Sequence, residues 1–206
     1  MSALEVLGRT LADMSDEAAW QAAHADVIGS YQAGAFAKPE SVETYLRQII
    51  SSHDWDGNAS TESGRRWEPL LLAWAGAEPN SLLIHHPDEH QFAATVDGTT
   101  SQGASFGIVE TKSKHNKVVA GPTPREIRQM AWQLFCIPEA VEVRYVWGEL
   151  IRDPLEGWRL RRDPLTLVYP RDHPLMVAAL ALIVPIAHDV LAALRRVRAI
   201  EDGAFL

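Results

Sequence analysis

The sequence contains a single cysteine, Cys136, among 206 residues. One cysteine excludes a disulfide framework and any zinc or iron–sulfur site built from four cysteines, and it suits a reducing compartment. The N-terminus also lacks the basic segment and apolar core of a secretory signal peptide. We therefore expect a cytoplasmic protein, and the 47% hydrophobic content is enough for a sizeable core.

Long apolar runs are scarce. The longest extends from Pro174 to Ala187 and is shorter than the ~20 residues that a membrane-spanning helix requires. It also contains Pro185 and is followed by His188 and Asp189. This pattern favours a helix buried in a protein core, with no membrane association.

Positive charge is scarce as well. The formal net charge of -8 argues against a broad basic surface for nucleic acid. Two local groups of basic residues remain, and either could meet phosphates. They are Arg65 with Arg66, and a strip of Lys112, Lys114, His115, Lys117, Arg125 and Arg128.

The hydrophobic pattern predicts a single domain with three parts: a helical part at about 1–60, a core at about 61–170 and a closing helix at about 172–200. Residues 53–61 have the composition of a loop. Within the core we expect a helix, three strands, a capped helix and further strands. The first helix is expected at about 63–75 and the three strands at about 81–86, 91–97 and 105–112. The capped helix begins at Thr123-Pro124-Arg125-Glu126 and ends near Pro138, and the further strands are expected at 141–147, 158–162 and 165–169. The order predicts an α/β (α+β) fold with a mixed central β-sheet flanked by helices.

Two carboxylates and a lysine stand at the ends of two of these predicted strands. Asp97 ends one, and Glu110-Thr111-Lys112 ends the next. Carboxylate and carbonyl oxygens are the ligands that Mg²⁺ prefers, so Asp97, Glu110 and the Thr111 carbonyl could hold one ion. Lys112 projects to the same sheet face as Glu110. Glu68, on the preceding helix, is a further possible ligand, and the whole arrangement suits phosphodiester hydrolysis.

A structural interpretation of the same residues is also open. Asp97-Gly98 could be a hairpin turn, and Glu110 and Lys112 a solvated strand edge, because the pattern is short and permissive. The neighbouring helix with Glu68 and the capped helix rich in Gln and Arg favour the metal site. A separate histidine cluster at 85–90 has the composition of a solvated turn.

The order of the motifs resembles the PD-(D/E)xK nuclease superfamily, and more narrowly the YqaJ-like viral recombinase family that includes lambda-type exonucleases. The resemblance covers roughly residues 18–198 and rests on four parts. They are Trp20-x-x-x-His24 with Val27-Ile28-Gly29-Ser30; Gly64-Arg65-Arg66-Trp67-Glu68; the strands Phe92…Val96-Asp97-Gly98 and Ile108-Val109-Glu110-Thr111-Lys112; and the helix from Arg128 to Phe135.

The resemblance implies a PD-(D/E)xK, restriction-endonuclease-like core and a Mg²⁺-dependent deoxyribonuclease, with Mn²⁺ as a substitute ion. It implies 5′-to-3′ exonuclease action on double-stranded DNA in phage-type recombination. Asp97 and Glu110 would be metal ligands in the catalytic centre, Glu68 metal-associated, Lys112 catalytic, and Gln129 a residue that positions water or the site. Residues expected to contact DNA phosphates are His24, Ser30, Arg65, Arg66, Lys114, Lys117 and Arg128.

The chain departs from the family pattern at two positions. His24 stands where the family usually has an arginine, and histidine lacks the planar fork that grips phosphate. A second family glutamine is replaced by Ala131 or displaced to Gln133. An endonuclease or a repair or defence nuclease of the same fold, or a catalytically silent member that binds DNA or protein, are the alternatives.

The family also implies partners: the ends of duplex DNA, a single-strand annealing protein, and copies of the same chain in a homo-oligomer, expected as a trimeric ring. The cell would be bacterial or phage-infected.

Overall fold

The structure is a computed structural model that describes residues 2–51, 59–155 and 157–201. Most of the predicted loop at 53–61 lies outside the described residues. Its last residues, from Ala59, already belong to a helix.

From residue 59 onward the helices and strands follow the predicted order, with two further strands, Glu78–Pro79 and Gly98–Gln102, that the hydrophobic pattern does not predict. Short 3₁₀ turns occur at Glu5–Leu7 and Pro39–Ser41. The helices are α1 Glu17–Ala25, α2 Ser30–Ala35, α3 Val42–Ser51, α4 Ala59–Ala75, α5 Pro124–Cys136 and α6 Pro174–Glu201. The strands are β1 Thr10–Asp13, β2 Glu78–Pro79, β3 Leu82–His85, β4 Ala93–Ala94, β5 Gly98–Gln102, β6 Ser105–His115, β7 Ala140–Asp153, β8 Gly157–Leu160 and β9 Leu165–Pro170.

The strands form two sheets. A six-stranded sheet has the order β2-β5-β6-β7-β8, with β9 also paired to β7, and a three-stranded sheet has the order β1-β3-β4. β6 and β7 run parallel along most of their length, whereas the other pairs are antiparallel. The large sheet is therefore mixed, as predicted, and helices cover it on both faces.

The alternation of apolar residues with Glu142 and Arg144 between Val141 and Trp147 predicts that strand β7 has one solvated face, and this prediction is wrong for the second half of the strand. Tyr145 to Leu150 are all buried. Val146 packs with Leu71 and Leu72 of α4, whereas Tyr145 and Trp147 belong to the main core with α5 and α6. A helix on each face of the sheet leaves no wet side.

Two predictions about the first half of the chain are also wrong. The segment expected to be mostly helical contains strand β1, which pairs with β3. The strand expected to end at Asp97 stops at Ala94, and the next begins at Gly98. The turn of the β5–β6 hairpin is at Gly103, whose φ is 64°, so Asp97-Gly98 is not the turn. Asp97 instead lies where the chain passes from the small sheet to the large one.

Helix α5 begins as its sequence predicts. The Thr123 side chain accepts a hydrogen bond from the Glu126 backbone N–H, and the Glu126 carboxylate accepts one from the Thr123 backbone N–H at 2.8 Å. This capping box satisfies two backbone donors at the helix start. Further along, the Trp132 indole N–H donates to the Ala93 carbonyl at 3.0 Å and so fixes α5 against β4.

Helix α6 is longer than the apolar run predicts. It has 28 residues, and by length and composition alone it could cross a membrane. The expectation that this segment is too short is therefore wrong. One face of the helix is nevertheless buried in the main core, through Met176, Ile183, Ile186, Val190 and Leu194, so the predicted packed helix is confirmed.

The capping box gives a test of the fold. Thr123→Ala removes the side-chain acceptor at the start of α5 and should destabilise the protein by about 1 kcal/mol. For a chain of this length that lowers the melting temperature by about 2–4 °C in a thermal denaturation experiment. Thr44→Ala, at an exposed position inside α3, is the control. Equal melting temperatures for the two variants would contradict the cap.

Candidate functional site

Asp97 is held by the strand that carries the other acidic residue. Its Oδ2 atom accepts hydrogen bonds from the Thr111 backbone N–H at 2.6 Å and from the Thr111 hydroxyl at 2.7 Å. The Asp97 backbone N–H donates to the Val109 carbonyl at 3.1 Å. Since Thr111 is adjacent to Glu110, these bonds bring the two carboxylates together. Asp97 therefore lies near Glu110 and Lys112 in the structure, although the strand predicted to end at Asp97 stops earlier.

Glu110 is the most enclosed acidic residue of the site, with 1% of its surface exposed. Gln129 Nε2 donates to its Oε1 atom at 2.7 Å, and Gln133 Nε2 donates to its Oε2 atom. The Lys112 ammonium contacts the same Oε1 atom. Burial raises the pKa of Glu110 and the nearby Asp97 carboxylate adds to the rise, although Lys112 opposes it. The protein thus keeps a carboxyl group at this position although burying its charged form costs solvation free energy.

Lys112 is a fixed cation. Burial alone would lower its pKa, but the carboxylates of Glu110 and Asp97 raise the pKa of the ammonium above its ordinary value. A lysine in this state keeps its proton near neutral pH, so it can balance negative charge.

Glu68 faces the same group from α4. Burial raises its pKa to about 7, and the charges of Asp97 and Glu110 contribute to that rise. Carboxylates raise one another's pKa only when they lie close together. Lys112 and Arg65 act in the opposite direction. Helix α4 therefore brings a third acidic side chain within electrostatic range of the site, and its role as a metal ligand stays a prediction.

The residues suit a hard divalent cation. Glu68, Asp97, Glu110 and the Thr111 carbonyl offer oxygen ligands only, which Mg²⁺ and Mn²⁺ prefer. The mutual repulsion of the three acidic groups is what such a cation would relieve. Within the described part of the chain, no three acidic, histidine or cysteine side chains converge as they would around a bound metal ion. The Lys112 ammonium contacts the Glu110 oxygen. An arriving cation would share that oxygen or displace the ammonium.

The first two residues predicted to bind phosphate lie near each other. The Nε2 atom of His24 lies 3.3 Å from the position that a Cβ atom on Gly29 would take, next to the buried Ser30. The His24 ring stacks on Trp20, with 4.6 Å between ring centroids. Burial lowers the pKa of the imidazole, so His24 is neutral at pH 7 and provides no charge for a phosphate.

The residues predicted to form a basic strip have different surroundings in the structure, since some are paired within the protein and others are exposed. The Lys114 ammonium pairs with Glu126 at 2.5 Å, and Arg128 Nε donates to the Gly34 carbonyl at 2.9 Å. These two side chains connect elements of the fold to one another. Arg65, Arg66 and Lys117 are exposed, and their contact with DNA remains a prediction.

Gln133 is the residue around Glu110 that the sequence indicates least clearly. Besides Glu110, its Nε2 atom reaches the Thr95 carbonyl at 3.3 Å, two residues before Asp97. It thus connects the segments that carry the two carboxylates. Its position one helical turn after Gln129 could have identified it, since residues four apart share a helix face.

The histidine cluster at 85–90 is part of the packing. His85 ends strand β3 and is 8% exposed, so the expected solvated turn is wrong for this residue. The ring of His85 stacks on His90, with centroids 3.9 Å apart, and the ring of His86 stacks on Phe135 at 4.3 Å.

Comparison with solved structures places the fold among exonucleases. An alkaline exonuclease from Laribacter hongkongensis superposes with a TM-score of 0.62 at 20% identity, over 90% of this chain and 98% of that one. The complex of that exonuclease with dAMP gives a TM-score of 0.57 at 17% identity, over 89% and 97% of the two chains.

A phage-related exonuclease from Haemophilus somnus 129PT gives a TM-score of 0.54 at 12% identity, over 80% of this chain and 86% of that one. No family model matches the sequence, and no curated protein matches it either. The chain thus has the fold of these exonucleases, which confirms the predicted fold class.

The acidic cluster gives a prediction for stability. A carboxyl whose folded-state pKa is raised costs stability as the pH rises through the unfolded and then the folded pKa. Without metal, Glu68→Gln should therefore be more stable than the wild type at pH 8 by about 1 kcal/mol, after allowance for solvent screening. The difference should vanish below about pH 4.5, where the unfolded-state carboxyl is also protonated.

Thermal denaturation in EDTA measures the effect. Glu43→Gln, which removes an exposed carboxylate of α3 paired with Arg47, serves as the control. A Glu68→Gln protein less stable than the wild type at pH 8 would show that Glu68 is not in a cluster of repelling charges.

Proposed function

We propose that this protein is a metal-dependent deoxyribonuclease that hydrolyses phosphodiester bonds. The observation that carries the proposal is the enclosure of Glu110. A buried carboxylate held by a lysine and two glutamines, beside Asp97 and facing Glu68, costs stability. Such an arrangement is expected where it serves chemistry. The exonuclease fold of the chain supports the same conclusion.

The proposed ion is Mg²⁺, with Mn²⁺ as a substitute. Glu68, Asp97, Glu110 and the Thr111 carbonyl would hold it. When bound, it would acidify a water molecule and neutralise charge on the phosphate. Lys112, which keeps its proton, would balance the negative charge that develops on the phosphate oxygens. Gln129 and Gln133 fix the orientation of Glu110, so that its carboxylate does not have to reorganise during the reaction.

For the substrate we infer double-stranded DNA, degraded 5′-to-3′ from its ends. The exposed Arg65, Arg66 and Lys117 would contact the DNA backbone. His24 is the residue expected to influence whether the enzyme prefers DNA ends that carry a 5′-phosphate. Because this residue is neutral and stacked on Trp20, we expect only weak dependence on a 5′-phosphate.

We also propose the wider setting that the motif resemblance implies. The protein would act in the cytoplasm of a bacterial or phage-infected cell during phage-type recombination. It would form a homo-oligomeric ring, with three copies as the expected number, and would work with a single-strand annealing protein. The acidic net charge of -8 suits a ring with an acidic exterior.

Catalysis is tested with three variants. Asp97→Asn, Glu110→Gln and Lys112→Ala should each lower nucleotide release from linear duplex DNA in Mg²⁺ by at least about 100-fold, and EDTA should abolish it in the wild type. Lys38→Ala, an exposed lysine outside the site and outside the proposed DNA contacts, is the control. Digestion at the wild-type rate by all three variants would refute the proposal.

A covalently closed circular duplex in the same assay separates the alternatives. An exonuclease leaves the circle intact, whereas an endonuclease of the same fold linearises it. If the wild type binds DNA but cleaves neither the linear nor the circular duplex, the protein is a silent binding member of the fold.

The choice of DNA end is tested with 5′-phosphate and 5′-hydroxyl duplexes. We expect the wild type to digest the two at rates within about threefold of each other, since a neutral imidazole adds little for a phosphate. His24→Arg supplies a charged fork and should raise the preference for the phosphate to about 10-fold. A strong phosphate preference in both the wild type and His24→Ala would show that other residues recognise the end.

A further inference from the structure

A cavity of about 360 Å³ lies between helices α2, α3 and α5, outside the carboxylate site. Its volume falls in the range of small-molecule sites. The described residues that line it provide three aromatic rings, two amides and a guanidinium. They include Tyr31, Phe36, Tyr45, Gln32, Gln48 and Arg125.

The aromatic wall of the cavity is rigid. The rings of Phe36 and Tyr45 lie 5.0 Å apart, and both residues are buried. The Tyr45 hydroxyl accepts hydrogen bonds from the backbone N–H groups of Ala37 and Lys38 at 3.0 and 3.1 Å. The two rings are therefore packed and hydrogen-bonded in place on one side of the cavity.

The mouth of the cavity offers a second flat surface. The guanidinium of Arg125 lies over the ring of Tyr31, with 4.4 Å between Cζ and the ring centroid. The Tyr31 side chain remains 65% exposed. Guanidinium and aromatic planes of this kind are the surfaces on which unpaired nucleobases stack.

Gln32 provides an amide beside the cavity. Its Oε1 atom is buried, has no hydrogen-bond partner among the described residues and lies 2.9 Å from the position that a Cβ atom on Gly29 would take, so it reaches a ligand in the cavity only when the side chain turns away from Gly29. Amides bind the donor and acceptor groups of bases in pairs. Among the described lining residues, Arg125 is the charged one and none is acidic. On a protein of net charge -8, such a surface does not repel DNA.

The cavity is also close to the proposed catalytic centre. Arg125 precedes Gln129 by one turn of α5, about 6 Å along the helix axis. Gly34 of α2 packs so closely here that a Cβ atom would lie 3.1 Å from the Arg125 carbonyl oxygen and 3.3 Å from Gln129 Cβ. Helix α5 therefore carries both Arg125 at the cavity and Gln129, which contacts Glu110.

We propose that this cavity binds a single unpaired nucleobase, supplied by a DNA strand or by a free nucleotide. The inference rests on the proposed nuclease function and adds a base-binding subsite to it. It assigns Tyr31 and Arg125 as stacking residues and Gln32 as a residue that contacts the base edge.

Binding of a fluorescein-labelled single-stranded oligonucleotide, followed by anisotropy in EDTA, tests the proposal without cleavage. Tyr31→Leu and Arg125→Ala should each weaken binding about 10-fold, the usual effect of losing one stacked base. Tyr31→Phe keeps the ring and should stay within about twofold of the wild type. Arg47→Ala on α3, which removes an exposed arginine outside the cavity lining, is the matched control.

An oligonucleotide of abasic deoxyribose phosphates shows whether the base is recognised. Tyr31→Leu should bind it as the wild type does, because there is no base to stack. Competition with dAMP then shows whether the bound base can come from a free nucleotide or only from a DNA strand. Displacement of the probe by dAMP, weakened by Tyr31→Leu, shows that free nucleotides enter, whereas no displacement shows that the strand must present the base.

Two results would overturn the inference. One is equal binding of the base-containing probe by Tyr31→Leu and Arg47→Ala. The other is an equal loss of affinity of Tyr31→Leu for the base-containing and abasic probes, which would show that the side chain contacts the DNA backbone and not the base. In both cases the nuclease proposal would survive. A wild type that binds neither probe nor duplex DNA would overturn both proposals together.

Discussion

The site depends on the burial of the Glu110 carboxylate. A carboxyl group at 1% exposure is stable only if its oxygens find partners inside the protein. Three side chains supply them: Lys112 from the same strand, and Gln129 and Gln133 from α5. These contacts also fix the position of α5 relative to β6, because both glutamines reach Glu110 only when the helix lies at one position along the strand.

The parallel pairing of β6 and β7 gives this arrangement its support. Glu110 lies opposite Tyr145, and Lys112 lies opposite Trp147. These large buried side chains hold the sheet face beneath α5. On the other face, Leu71 and Leu72 anchor α4 against Val109 and Val146, and that packing brings Glu68 to the acidic group. The apolar core thus positions three acidic residues that would otherwise repel one another.

The parts of this structure that are encoded by adjacent residues could be predicted from the sequence. Thr123, Pro124 and Glu126 specify the start of α5 within four positions, and the alternating pattern from Ser105 identifies β6. Interactions between distant residues could not be predicted. Asp97 takes its conformation from Thr111 rather than from its own strand, Lys114 is paired with Glu126, and β7 is covered by two helices that lie elsewhere in the sequence. Gln133 was visible only as a possible displaced glutamine, because its bond to Glu110 depends on how α5 packs.

Anomalous scattering from crystals soaked in Mn²⁺ tests most directly whether Glu110 and Asp97 form the proposed metal centre. We expect a single strong peak about 2.0–2.6 Å from carboxylate oxygens of Asp97 and Glu110 and from the Thr111 carbonyl oxygen, the range for hard cations with oxygen ligands. The Lys112 ammonium should have moved away from the shared oxygen. Crystals with no peak at these residues, or with the peak at the histidines of 85–90 instead, would contradict the account.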